Sequence, residues 1–263
     1  MKQRNVLIIM TDQHNFRCMG HQGHPDVKTP VLDRLAEEST VFQNAFTASP
    51  VCLPARVSML SGQRVCTHRQ FGFEGMQSPD IPLLSSSFRE AGYMTGMVGK
   101  LHIASLPPDC GADFVSSTLV EDSWRVCGGG TAYEDYVREA GFPYPTDQTH
   151  GGYPNTVAPS HADPGEPQNV QMTGRSDIPL EHSVERWTAD EALRFLNLCA
   201  SQQRPFWMWL TFDRPHAPWA VSAPYDTLYD PAQLTLSPRE TEAQILKKPP
   251  HSSARLERGI GGQ

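Results

Sequence analysis

The sequence predicts an α/β fold with a mostly parallel central sheet and helices on both faces. Three observations lead there. Residues 5–13, Asn-Val-Leu-Ile-Ile-Met-Thr-Asp-Gln, form a continuous apolar run with a polar tip, the pattern of a strand buried on both faces of a parallel sheet. Strand-like and helix-like segments alternate through residues 1–140, the order expected of a layered α/β domain. A second strong strand, Pro-Phe-Trp-Met-Trp-Leu-Thr-Phe at 205–212, again runs into polar residues. Charged residues are 19% and hydrophobic ones 38% of the 263 residues, so the chain is globular and long enough for one large domain or two small ones.

The first strand closes on Asp12 and Gln13, at the carboxyl end where open α/β sheets place their ligands. Thr29 and Pro30 then make a helix start. Val31, Leu32, Leu35 and Ala36 give that helix one apolar stripe, so it is expected to be structural. Residues 50–62 read Pro-Val-Cys-Leu-Pro-Ala-Arg-Val-Ser-Met-Leu-Ser-Gly. Pro54 fits the first turn of a helix, where its missing N–H costs little, and Gly62 closes that helix. Cys52 is thereby set at a helix N-terminus, where free N–H groups and the dipole favour an anion. Arg56 lies four residues on and reaches the same face. A sulfate or phosphate ester is expected to dock there with its reacting atom over residue 52.

Leu83, Leu84, Ser87, Phe88 and Ala91 have helical spacing, and Gly92 is the stop. Tyr93 to Val98 form the next strand, followed by Gly99-Lys100-Leu101-His102. On extended backbone Lys100 and His102 point to the same side, and a cation beside an imidazole suits an anionic ester. Residues 183–201 read as an amphipathic helix, with Trp187, Leu193, Leu196 and Ala200 on or near one face. The strand at 205–212 leads into Asp213-Arg214-Pro215-His216-Ala217-Pro218, whose two prolines hold His216 stiffly. Residues 141–182 are rich in Pro, Gly, His and Asp and read as a loop-rich insertion over the sheet rim. His150, His161 and His182 lie within it, but their spacing supports no metal site.

The net charge of −7 argues against nucleic acid as a partner. The longest clean apolar run, Val6 to Met10, is too short to span a membrane. No apolar signal segment precedes it, so a cytoplasmic protein is expected. Cys18, Cys52, Cys66, Cys110, Cys127 and Cys199 have no zinc-like spacing and form no Cys-x-x-Cys pair, and reduced thiols are expected. The sequence carries no signal for oligomeric state.

Four motifs in order, Asp12-Gln13, Cys52-x-Pro54-x-Arg56, Gly99-Lys100-x-His102 and Pro215-His216-x-Pro218, resemble the formylglycine-dependent sulfatases of the alkaline-phosphatase-like superfamily. The resemblance covers residues 5–230. It implies a sulfatase-like N-terminal catalytic domain over 1–230 and an irregular tail over 231–263, truncated relative to the family. It also implies that a formylglycine-generating enzyme oxidises Cys52 to an aldehyde. Hydrated, that aldehyde attacks the sulfur of a small anionic sulfate ester. Arg56 and Lys100 neutralise the sulfuryl oxygens, His216 or Lys100 assists the leaving oxygen, and His102 takes the proton that lets sulfate leave. Asp12, Gln13 and residue 52 would bind a divalent metal, calcium before manganese or magnesium. Gln13 stands where the family usually has a second acid, a variant similar to the choline-sulfatase and phosphonate-monoester-hydrolase branch.

The family's later Asp-His or Asp-Asn pair, which completes the metal site, is absent from this sequence. Calcium takes about six to eight oxygen ligands, so the isolated chain is expected to bind metal weakly and to be marginally soluble. Three readings follow: a sulfatase, a phosphonate or phosphate ester hydrolase on the same scaffold, and a non-catalytic sulfatase-like fragment.

Overall fold

Six strands and six α-helices are formed by the residues that the computed structural model describes, which are 3–72, 81–101, 103, 110–118, 133–142, 173–216 and 219–235. The strands are β1 (Val6–Thr11), β2 (Met94–Gly99), β3 (Phe114–Ser117), β4 (Thr173–Arg175), β5 (Phe206–Phe212) and β6 (Trp219–Val221). The helices are α1 (Pro30–Glu37), α2 (Cys52–Ser61), α3 (Val65–His68), α4 (Leu84–Glu90), α5 (Tyr133–Glu139) and α6 (Val184–Ser201). The central sheet has the order β1-β5-β2-β3 and every pairing in it is parallel. β4 and β6 form a separate parallel pair.

The alternation of side chains along β5 divides the core. Trp207 and Trp209 turn to one face, where Leu53, Val57 and Leu60 of α2, together with Leu83, pack on Met97. Met208 and Leu210 turn to the other, against Ala192, Phe195 and Cys199 of α6. Helices therefore cover both faces, as the sequence predicts. Close packing of α6 depends on Gly96, where an added Cβ would stand 2.8 Å from the Phe195 ring.

Three expectations are corrected. β1 is not buried on both faces. It lies at the end of the strand order; Val6, Ile8 and Met10 pack on the core, while Leu7 and Ile9 are exposed. The α1 stripe is not covered either, and Val31, Leu32 and Leu35 face solvent. On α6 the buried stripe is Val184, Trp187, Thr188, Glu191, Ala192, Phe195 and Cys199; Leu193 and Ala200 are exposed. The cause is register. Buried Glu191, accepting from Ser116 Oγ and paired with Arg194 at 2.6 Å, is a polar residue on the core face, which a hydrophobicity pattern scores as solvent.

Sequence periodicity did not indicate β3, α5, β4 or β6, three of which are strands of only 3 or 4 residues. β4 and a short 3-10 turn at Leu180–His182 fall within the stretch read as an insertion. His182 accounts for itself structurally: its Nδ1 bonds the Tyr136 hydroxyl at 2.8 Å and its carbonyl accepts from Tyr133. Residues 143–172, with His150 and His161, lie outside the described residues, as do Cys127 and 236–263.

Candidate active site

Parallel strands bring their carboxyl ends to one side of the sheet, and four of the expected residues meet there. Asp12 follows β1, Lys100 follows β2, His216 follows β5, and Arg56 comes from α2. Lys100 is 0% exposed, and its Nζ forms an ion pair of 2.6 Å with Asp12 Oδ2. The same oxygen accepts from Arg56 Nη2 at 3.2 Å. Burial works against the Asp12 carboxylate, but the hydrogen bond and charge of Lys100, with Arg56 and His216, outweigh it and hold its pKa below the usual range.

Arg56 is more deeply engaged than its spacing indicates. Its Nη1 donates to the Lys100 carbonyl and, at 3.4 Å, to that of Leu101, and the guanidinium lies 5.7 Å from the Trp209 ring. Thr211 Oγ1 donates to the same Lys100 carbonyl. Burial draws the Arg56 pKa down, against the opposing charges of Asp12, Asp213 and Cys52. Arg56 thus pins the backbone at 100–101 and the Asp12 carboxylate together, rather than presenting a free fork to a ligand.

Cys52 is the first residue of α2, half-buried, with Val51 as an extended N-cap that supplies no side-chain bond. Pro54 has no N–H and the Ala55 N–H donates to the Val51 carbonyl at 3.1 Å, so in the first turn only the N–H groups of Cys52 and Leu53 lack an intrahelical acceptor. The helix closes at Gly62 with φ 67°, as its sequence requires. Gln13 is exposed and sits at φ 57°, where the chain turns off the sheet. His216 is fixed by its own backbone, its N–H donating to the Asp213 carbonyl at 3.1 Å. Arg214 anchors the same loop, through an ion pair with Glu185 at 3.3 Å and a bond to the Ala220 carbonyl at 2.9 Å. His102, Ala217 and Pro218 lie outside the described residues.

Two further groups belong to the site's surroundings. Asp213 is buried beside the charge of Lys100, and burial pushes its carboxyl up to about 6. Its signal in the sequence matches that of Asp12, an acid directly after an apolar strand. Ser58 and His68, 2.8 Å apart and buried, look like a nucleophile and base but are not. The Gln70 N–H donates to His68 Nδ1, so Nε2 carries the proton and donates to Ser58, which is left unactivated.

The donor chemistry for a metal is thin. Among the described residues no group of three or more His, Cys, Asp or Glu side chains converges as a metal ion requires. The one carboxylate expected to bind it has Oδ2 taken up by two cations. The described residues alone do not make a divalent site.

A family model described as Sulfatase matches residues 4–248. The chain is 27% identical to mouse iduronate 2-sulfatase over 238 residues, covering 89% of this chain and 39% of that protein. It is 30% identical to the multifunctional alkaline phosphatase superfamily protein PehA of Trinickia caryophylli, covering 87% of this chain and 45% of that protein. Choline-sulfatase of Rhizobium meliloti is 27% identical, with 94% and 45% covered. The chain therefore spans less than half the length of these curated relatives. In fold it is similar to the phosphonate monoester hydrolase of Silicibacter pomeroyi, with a TM-score of 0.69 at 23% identity, covering 98% of this chain and 56% of that one. The corresponding hydrolase of Agrobacterium radiobacter gives 0.67, also at 23%, covering 89% and 45%. A family match that runs from the first strand past His216, over a sheet whose tips gather Asp12, Arg56 and Lys100, establishes that this chain belongs to the sulfatase family of the alkaline-phosphatase-like superfamily.

Proposed function

We propose that the chain carries the nucleophile-bearing part of a sulfuric ester hydrolase acting on a small sulfate ester, with Cys52 as the residue converted to formylglycine. The observation that carries this reading is the fully buried Lys100 cation, ion-paired at the sheet tip and braced through its own carbonyl by Arg56 of the helix that begins at Cys52. In a site of low dielectric such a cation stabilises a charged sulfuryl group far more than it would in water. Arg56 keeps Lys100 and Asp12 in register. His216 stands in electrostatic reach of Asp12, suited to protonating the departing alcohol oxygen. Once modified, residue 52 supplies an aldehyde-derived oxygen nucleophile and lets sulfate leave by elimination, a route closed to a plain thiol.

Members of this family generally use a metal ion. Here Asp12, Gln13 and residue 52 fall short of the roughly six to eight oxygen ligands that calcium takes. Calcium, or else manganese or magnesium, enters the reading only with further ligands. The compartment we assign is the cytoplasm, which suits the five free thiols among the described residues.

The test is aryl-sulfate hydrolysis by this chain with calcium or manganese, after co-expression with a formylglycine-generating enzyme and confirmation of the aldehyde by peptide mass. Turnover that Cys52→Ala abolishes, with circular dichroism unchanged, is the expected result. Wild-type rates in Cys52→Ala would sink the assignment. No turnover despite a confirmed aldehyde would make the chain a non-catalytic fragment. A second reading, phosphonate or phosphate ester hydrolysis, is favoured by Gln13, which removes one negative charge from the site. Faster turnover of an aryl phosphonate ester than of the matched sulfate would select it.

A further inference from the structure

Asp213 is 2% exposed, and among the described residues neither of its carboxylate oxygens has a hydrogen-bond partner of normal geometry. A buried, unpaired carboxylate costs folding free energy and calls for an explanation. The turn does not supply one. His216 N–H bonds the Asp213 carbonyl, which any residue offers. What the acid faces is charge. Lys100 follows β2 and Asp213 follows β5, two strands paired at Gly99 and Thr211, and the Lys100 N–H donates to the Thr211 carbonyl at 3.1 Å. The Lys100 charge is the strongest favourable influence on the acid; the Thr118 hydroxyl and Arg214 act the same way, and Glu185 of α6 opposes. Arg56 of α2 also feels its charge.

Lys100 has its own difficulty. Asp12 Oδ2, with which its Nζ forms an ion pair, is shared with Arg56. A fully buried ammonium that turns from Asp12 toward a substrate oxygen is costly to strand. We propose that Asp213 is a positioning residue for Lys100, a second counter-carboxylate that keeps the buried ammonium compensated at the end of β2 while it moves between Asp12 and the substrate anion. This rests on reading Lys100 as the cation that meets the sulfate group; Asp213 itself does not touch substrate.

The experiment is a double-mutant cycle on the full chain by urea unfolding, with Asp213→Asn, Lys100→Gln and the double variant. Lys100→Gln strands the buried acid and lowers the unfolding midpoint. Adding Asp213→Asn removes the stranded charge and recovers roughly half or more of that loss. Additive effects would overturn the proposal. Carbon-13 titration of the Asp213 carboxyl supplies a readout that a merely structural role would not move. Its midpoint is expected to shift upward in Lys100→Gln, and an unchanged midpoint would overturn the pairing even if the variant unfolds more readily. Calorimetry with inorganic sulfate on the same proteins separates the two readings. Sulfate binding indifferent to Lys100 overturns the site reading, whereas an additive cycle beside Lys100-dependent sulfate binding overturns the role of Asp213 alone.

Discussion

Gly99 sets the position of Lys100. It has φ 95°, and an added Cβ would stand 1.8 Å from the Thr211 carbonyl oxygen. Gly99→Ala is therefore expected to destabilise the chain by more than about 2 kcal/mol through backbone strain and collision, a loss read by urea unfolding. Arg56→Met removes the cation that shares Asp12 and one donor from the Lys100 and Leu101 carbonyls, the former keeping Thr211 Oγ1; a cost of about 3 kcal/mol is expected in the same assay. Asp213 gives a pH signature. Its folded-state carboxyl is raised from 3.8 to about 6, so the native state holds a proton that the unfolded chain has released. Stability should fall as pH rises through that window, and Asp213→Asn should flatten the slope. Asp12, Cys52, Arg56 and Lys100 were legible in the sequence because each sits at a marked place, a strand tip or a helix mouth. The burial of Arg56 was not, because spacing along a helix says which face a side chain occupies and nothing about what closes over it.

At the scale of elements, α6 combines local and tertiary signals. Ser183 is its N-cap and accepts from the Arg186 N–H at 3.2 Å, a start readable from sequence. Ser183→Ala is expected to cost about 1 kcal/mol. Phe195, fully buried against Gly96 and in aromatic contact with Phe114 and Phe206, should cost about 3–5 kcal/mol on truncation to Ala. Thermal unfolding of the two variants checks both values. The face that α6 buries was misjudged because Thr188 and Glu191 lie on it. The core side of a helix can carry polar residues when the sheet offers partners, as Ser116 does for Glu191. The short strands β3, β4 and β6 were missed for a related reason: with 3 or 4 residues each, they offer too little alternation to register as a period.

Across the whole molecule, helices cover both faces of the sheet, but among the described residues the end strand β1 and helix α1 keep large apolar side chains in the open. Ile9 on β1 is 60% exposed and Val31 on α1 is 67% exposed, with Leu7 and Leu35 also open to solvent. Scattered apolar exposure is ordinary, but several large exposed residues on an end strand and a helix favour association. Ile9→Thr together with Leu35→Lys is expected to raise soluble yield and lower binding of a hydrophobic dye, while changing stability by less than about 0.5 kcal/mol, as suits residues that bury little. A large loss of stability would show that these residues are packed in solution. No helix among the described residues is long and apolar enough to cross a membrane.

The sequence by itself determined the α/β class, the strand tips that carry Asp12 and Lys100, the helix mouth at Cys52 and the loop that carries His216. These are local properties, written in hydrophobic period, in Pro54 and Gly62, and in where an apolar run meets a polar residue. Only the tertiary structure decided what those groups do to one another. It put β5 between β1 and β2, joined Lys100 to Asp12 across that gap, spent Arg56 on the backbone beside them, and buried Asp213 within reach of their charge. Those relations arise between residues 44 or more positions apart in the chain, where the energy of a charge is set by burial and by its neighbours, and neither is a property of the local chain.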